Sequence, residues 1–223
     1  MAGGRLFTKR ALRWVRSRAG RPCRGVTSVP ARILRTRTLY EGWTEILGVR
    51  LQLEDGYEVG REVEDHGNAV AVLPYDPERR TAILVKLLRP PILISEGRTD
   101  LLECPAGMIE DEEPAETARR EALEETGLRL RELEHAGRVW SSPGVSTERL
   151  DLYLASYAAA DRVDRGGGAA GEHENIQVIE LPLAELRRLI ETKQVEDLKT
   201  LALLALLMLR KPNLFVTEAS VTE

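Results

Sequence analysis

The chain has 223 residues, with 36 Asp and Glu against 32 Lys and Arg, for a formal net charge of −4. At 43% hydrophobic and 30% charged, the composition is that of a globular chain, long enough for one domain with appendages. The longest apolar run, 201–209, is about half of the roughly 20 residues a membrane-spanning helix needs, and two cysteines, Cys23 and Cys104, give no disulfide framework, so a reducing, cytoplasmic setting and no membrane partner are expected.

Charge is unevenly spread. Residues 1–40 hold 11 of the Lys and Arg and no acid, which leaves 21 bases against all 36 acids in the rest. An acidic body argues against a general nucleic-acid binder and suits a protein that gathers metal cations. Residues 1–34 are expected to form a basic, mobile extension. Leu6, Ala11, Trp14 and Val15 offer it only a weak apolar stripe. An organellar presequence, a nucleic-acid- or membrane-binding arm and a dispensable extension all fit this composition.

Residues 35–64 read as a β arm. The segment 48–53 alternates apolar and polar residues, Asp55-Gly56 is a hairpin turn signal, and 58–63 returns antiparallel. The main domain is expected over 65–215, with a tail at 216–223. Within it, 67–73 and 81–88 read as buried strands split by the turn Tyr75-Asp76-Pro77-Glu78. Segments 101–103, 133–140, 150–157 and 176–181 are further strands, and 183–191 and 199–210 are helices. Strands alternating with helices in mixed order predict an α/β fold whose sheet is covered on both faces.

The chemistry concentrates between Gly107 and Leu128. Pro114 fits the first turn of a helix and Gly127 its C-terminal cap. Glu121, Glu124 and Glu125, at i, i+3 and i+4, put three carboxylates on one face, where like charges repel. A solvated acidic face would tolerate that. Here Arg119 and Arg120 lie behind the acids, and the loop Pro105-Ala106-Gly107 leads into them. Clustered carboxylates beside a flexible loop are what hard, oxygen-seeking Mg²⁺ needs.

The run Arg120-Glu121-Ala122-Leu123-Glu124-Glu125-Thr126-Gly127-Leu128 is similar to the core of the Nudix box. The shortened lead-in from Gly107 to Glu113-Pro114 resembles the GDP-mannose pyrophosphatase branch of that family. The resemblance implies an α/β/α sandwich with a mixed β-sheet, plus a small N-terminal antiparallel sheet that pairs two subunits in a homodimer. It also implies Mg²⁺, with Mn²⁺ as an alternative. Glu121 and Glu125 would be the first ligands, joined by the Ala106 carbonyl and by Glu124, directly or through water. Glu174, after the Gly-rich stretch 166–168, takes the position of a late metal ligand and possible base. Arg120 would clamp the box by pairing with a carboxylate such as Glu113. For substrate, the resemblance points to Arg61, Glu62, Arg89, the loop Ala106-Gly107-Met108, Glu148, His173 and Lys199, with Trp43 stacking on the base.

The expected activity is Mg²⁺-dependent hydrolysis of a nucleoside diphosphate sugar, GDP-mannose giving GMP and mannose 1-phosphate. The rival is ADP-ribose cleavage to AMP and ribose 5-phosphate, against which Glu113-Pro114 argues. A non-catalytic Nudix-like nucleotide-binding module is a further alternative, although such modules typically lose box carboxylates and all are present here. A nucleic-acid binder acting through the basic N-terminus would show salt-dependent binding lost with residues 1–30.

Overall fold

The computed structural model describes residues 30–168 and 175–216. The order is β1 (Arg32–Glu41), β2 (Glu45–Gln52), β3 (Glu58–Asp65), β4 (Ala69–Asp76), β5 (Thr81–Leu87), α1 (Pro90–Glu96), β6 (Leu101–Glu103), β7 (Ala106–Met108), α2 (Pro114–Thr126), β8 (Glu134–Trp140), β9 (Arg149–Ser156), β10 (Gln177–Pro182), α3 (Leu183–Glu191) and α4 (Leu198–Arg210).

The main sheet runs β10-β5-β4-β9-β8, with β6 paired to β5 and β7 to β4. Only β4 and β9 run parallel, so the sheet is mixed. Strand β4 is buried at all eight positions, the continuous apolar pattern of a strand covered on both faces. Its alternation splits the core in two. Ala69, Ala71, Leu73 and Tyr75 face the cluster built by Leu183 and Leu186 of α3 and by Leu203, Leu204 and Leu207 of α4. Val70 and Val72 face Ala118 and Ala122 of α2, with Leu128 beyond its end. The α/β/α sandwich therefore follows from a period of two in the strand and of i, i+4 in α2. Burying each of the α4 leucines contributes about 1.5–3 kcal/mol.

The first three strands form a separate antiparallel sheet, β1-β2-β3. Strand β1 begins at Arg32, inside the stretch 1–34 expected to be extension, and is exposed at all ten positions. Two short elements were not foreseen. In α1, Pro90 and Pro91 open the helix, and Gly97 closes it in the left-handed region at φ 71°. Strand β7 makes the approach to the box part of the sheet, because Val72 N–H donates to Pro105 C=O at 2.9 Å and Ala71 pairs with Ala106. Strand β4 starts at Ala69 because Gly67, at φ 92°, still belongs to the turn.

Candidate active site

Helix α2 carries the box. Glu113 is its N-cap residue, Pro114 opens it, and Gly127, at φ 73°, caps it with its N–H on Leu123 C=O at 2.9 Å. The helix lies against β7, and two of its carboxylates close on that strand. Ala106 N–H donates to Glu125 Oε2 at 3.3 Å, and Glu125 is only 4% exposed. A Cβ built on Gly107 would sit 1.9 Å from Glu121 Oε1, so the absent side chain is what lets Glu121 lie on the strand.

Arg120 organises the third carboxylate. Its Nη1 stands 2.9 Å from both Glu121 Oε1 and Glu124 Oε2, and its Nε donates to Glu112 Oε1 at 2.9 Å. The clamp is thus to Glu112 and not to Glu113. Glu113 is fixed in the cap, its carbonyl accepting from Glu116 and Thr117 N–H, whereas Glu112 precedes the helix and can fold back. Burial works against the Arg120 charge, but the Glu112, Glu121 and Glu124 carboxylates outweigh it and hold the guanidinium well above its ordinary range.

Among the described residues, no group of three or more His, Cys, Asp and Glu side chains is gathered closely enough to hold a metal on its own. The candidate donors are instead mixed: the Glu121 and Glu125 carboxylates on α2, the Ala106 carbonyl on β7, and Glu124 across Arg120. An all-oxygen set of this kind fits a hard divalent cation. The Gly-rich loop is pressed onto the end of the same helix. Gly167 N–H donates to Glu125 C=O at 2.9 Å and Gly168 N–H to Glu124 C=O at 3.0 Å, satisfying carbonyls that the last turn leaves open. A Cβ on Gly166 would come within 2.4 Å of Glu125 O, so the contact needs glycine. His173 and Glu174, further along that loop, lie outside the described residues.

A cavity of about 450 Å³ opens beside the box, over Ala106, Gly107 and Met108. Trp43, Arg89, Glu148 and Lys199 line it, so seven of the sequence-predicted substrate residues meet in one place. Arg61 and Glu62 do not reach it. They line a separate concavity of about 630 Å³ on the N-terminal sheet with Arg35, Arg37 and Arg50.

Two clusters that shape the cavity were not singled out from sequence. The first is built on Glu103, which is 1% exposed. It accepts two hydrogen bonds from Arg89, Nε at 2.8 Å and Nη2 at 2.9 Å, and also binds Lys199 Nζ. Lys199 donates to Asp197 as well, at 2.9 Å, and Asp197 caps α4 through Thr200 N–H, also at 2.9 Å. Thr200 Oγ1 in turn accepts from the N–H of the buried Cys104 at 2.7 Å. Burial alone would raise the Glu103 pKa, but Arg89 and Lys199 outweigh it and hold the carboxyl below its ordinary value. Burial alone would lower the Lys199 pKa, and the Glu103 and Asp197 charges keep it raised. An isolated acid in the apolar run Leu101-Leu102-Glu103-Cys104 was the available signal.

The second cluster is His66 with Glu64, Glu148 and Trp43. Nδ1 of His66 bonds Glu64, Nε2 lies 3.3 Å from Glu148 Oε1, and the ring stacks on Trp43 with centroids 5.2 Å apart and planes 20° apart. Burial pulls the imidazole down, but the two carboxylates outweigh it and its pKa is raised. No local pattern marks this group, because Glu148 reaches it from a distant loop.

A model of the NUDIX domain matches residues 65–204. The GDP-mannose pyrophosphatase of Cronobacter sakazakii is 35% identical over 189 residues, spanning 82% of this chain and 97% of the relative. That of Citrobacter koseri is 36% identical over 145 residues, 65% of this chain and 75% of the relative. A solved structure described as an ADP compounds hydrolase superposes with a TM-score of 0.69 over 86% of this chain and all of that one, at 19% identity, a likeness of fold.

Proposed function

The chain belongs to the Nudix family of pyrophosphate-bond hydrolases, and we propose that it cleaves the diphosphate linkage of a nucleoside diphosphate sugar, with GDP-mannose giving GMP and mannose 1-phosphate. Water adds to one phosphorus, the bridging P–O bond breaks, and the other phosphate leaves. Glu121, Glu125 and the Ala106 carbonyl would hold Mg²⁺ or Mn²⁺, with Glu124 assisting, and an ion there would supply neutralisation of phosphate charge and activation of water.

Arg120 keeps the box carboxylates from splaying apart under their mutual repulsion. Lys199 stays protonated between Glu103 and Asp197 and offers the diphosphate or sugar a fixed positive charge. Arg89 commits Nε–H and one Nη2–H to Glu103, which leaves its other terminal N–H groups as donors for ligand. Trp43 stacks on the base and Glu148 accepts from it, as guanine N1–H and its exocyclic amine require and adenine does not. On the family resemblance, Glu174 would be a late metal ligand and possible base, and His173 a substrate-binding residue.

What carries the reading is that Trp43, Arg89, Glu148 and Lys199, far apart in sequence, share one cavity with Ala106, Gly107 and Met108, the strand on which Glu121 and Glu125 of the box lie. The relative that spans nearly the whole chain and bears the name GDP-mannose pyrophosphatase supports it. The test is a panel of GDP-mannose, GDP-glucose, ADP-ribose and UDP-glucose with Mg²⁺, scored by release of nucleoside monophosphate. GDP-mannose should rank first in kcat/KM, by up to about 10⁴-fold over the wrong base when polar partners would be left unpaired. A higher rank for ADP-ribose would overturn the guanine assignment.

The same proposal includes a cytoplasmic homodimer in which β1-β2-β3 reaches the neighbouring subunit. Exposed Ile33 and Tyr40 on that sheet support it, as does the position of Arg61 and Glu62 away from their own cavity. An active monomer in sedimentation would remove it.

A further inference from the structure

We propose that His66 is a positioning residue that holds Trp43 and Glu148 together as one recognition surface for the base, an inference resting on the nucleoside diphosphate reading above. The cavity wall here is assembled from three separate segments. Trp43 comes from the β1–β2 turn, His66 follows β3, and Glu148 ends the loop 141–148. None is a sequence neighbour of another, so something must fix their mutual placement.

His66 touches both of the others. Its ring backs one face of the Trp43 indole, while Trp43 as a whole is 80% exposed and keeps its other face open to a ligand. Its Nε2 meets Glu148 Oε1 and its Nδ1 meets Glu64. A carboxylate on each ring nitrogen requires both nitrogens to donate, which is the imidazolium form. Glu64 and Glu148 are the charged groups that face the ring.

The anchor beneath this pair is itself fixed. Glu64 accepts from Thr44 Oγ1 at 2.8 Å, and Thr44 is the residue after Trp43. The backbone of Glu64 pairs with the 141–148 loop, donating to Val145 C=O at 2.8 Å and accepting from Thr147 N–H at 3.0 Å. Loop, strand end and turn therefore converge on one ring. An aromatic base entering the cavity meets an indole that is already stacked and a carboxylate that is already aimed, so less freedom is lost on binding. The device acts on recognition and leaves the box untouched.

The test uses the full chain with His66→Phe, which keeps a ring under Trp43 and removes both hydrogen bonds, and His66→Gln, which keeps one donor and removes the ring. For GDP-mannose, each variant should raise KM about tenfold, the loss of one charge-assisted hydrogen bond or one stacked pair, with kcat held within about twofold. His66→Phe combined with Glu148→Gln should cost less than the sum of the single changes, because each removes the same contact. Trp43 emission, read with Trp14 and Trp140 replaced by Phe, gives a readout apart from turnover. A stacked imidazolium quenches an indole, so wild-type emission should rise as pH rises through the His66 titration, and His66→Phe should show no such step. Wild-type cleavage with unchanged KM in both folded variants, or strict additivity with Glu148→Gln, would overturn the positioning role and leave the proposed function standing. Failure of the wild type to cleave any nucleoside diphosphate would overturn both.

Discussion

Gly107 and Glu121 share one space: the Oε1, Cδ and Cγ atoms of Glu121 lie 1.9, 2.1 and 2.6 Å from where a Gly107 Cβ would be. The glycine is the seat of the carboxylate. Gly107→Ala must drive the whole carboxylate off β7, since three of its atoms and not only its tip are in conflict. We expect kcat to fall by about 100-fold, the scale of a roughly 1 Å misplacement in a catalytic centre. Overpacking should also cost about 1–3 kcal/mol of stability. Steady-state kinetics with a urea melt measures both, and an alanine variant with wild-type kcat would show that Glu121 works from another position.

Glu125→Gln separates charge from shape. The amide oxygen can still accept from Ala106 N–H, and removing one charge relieves repulsion on the α2 face. The fold should therefore survive while kcat falls by at least about two orders of magnitude, the scale of losing a key electrostatic group. Near-normal turnover by the saturated variant would take Glu125 out of the metal site.

Glu103 is the counter-charge for two cations, and Lys199 and Glu103 are both nearly buried. Glu103→Gln leaves Arg89 and Lys199 without it and should destabilise the fold by about 3 kcal/mol at pH 7. The Glu103 carboxyl is held below its ordinary 4.5, so its contribution is complete above that value and is lost as pH falls through the folded value. Lys199 is held above its ordinary 10.5, so its share is complete below 10.5. The gap between wild type and Glu103→Gln should be flat from about pH 5 to 10 and narrow in acid. Urea unfolding across that range reads it, and a gap unchanged at low pH would contradict the pairing.

His66 gives the opposite limb. Its folded pKa lies above the ordinary 6.5, so its stabilisation is complete below 6.5 and is lost as pH rises through the folded value. Wild type should melt a few degrees above His66→Gln at pH 6, the shift that about 1 kcal/mol gives a domain of this size, with the two converging at alkaline pH. A difference that grows with pH would have the wrong sign.

The sandwich was legible wherever burial imprints a period. Helix α3 falls where expected because its apolar residues recur at helical spacing, and β4 because a strand buried on both faces is a continuous apolar run. Strand β1 and helix α1 were less legible for one reason: β1 is exposed throughout and α1 buries no residue, so neither carries a core-facing pattern. The box was readable because Glu121, Glu124 and Glu125 lie within five residues on one helix. Glu103 and His66 were not, since their roles exist only when β5, β6 and α4, or β3 and the 141–148 loop, are brought together. The Arg120 partner was misplaced by one residue, because the cap geometry at Glu113 decides which side chain can turn back.

Cys104 gives the site an internal clock. Its thiol is 1% exposed, burial pushes its pKa up to about 12, and its backbone is tied to Thr200 of α4. The thiolate, not the thiol, attacks an alkylating reagent, so the folded chain hides this sulfur both sterically and chemically. Modification at Cys104 in a Cys23→Ser background can proceed only as fast as β6 separates from α4, the same event that dismantles the Glu103 hub. Labelling kinetics would thus time how often the wall of the cavity comes apart.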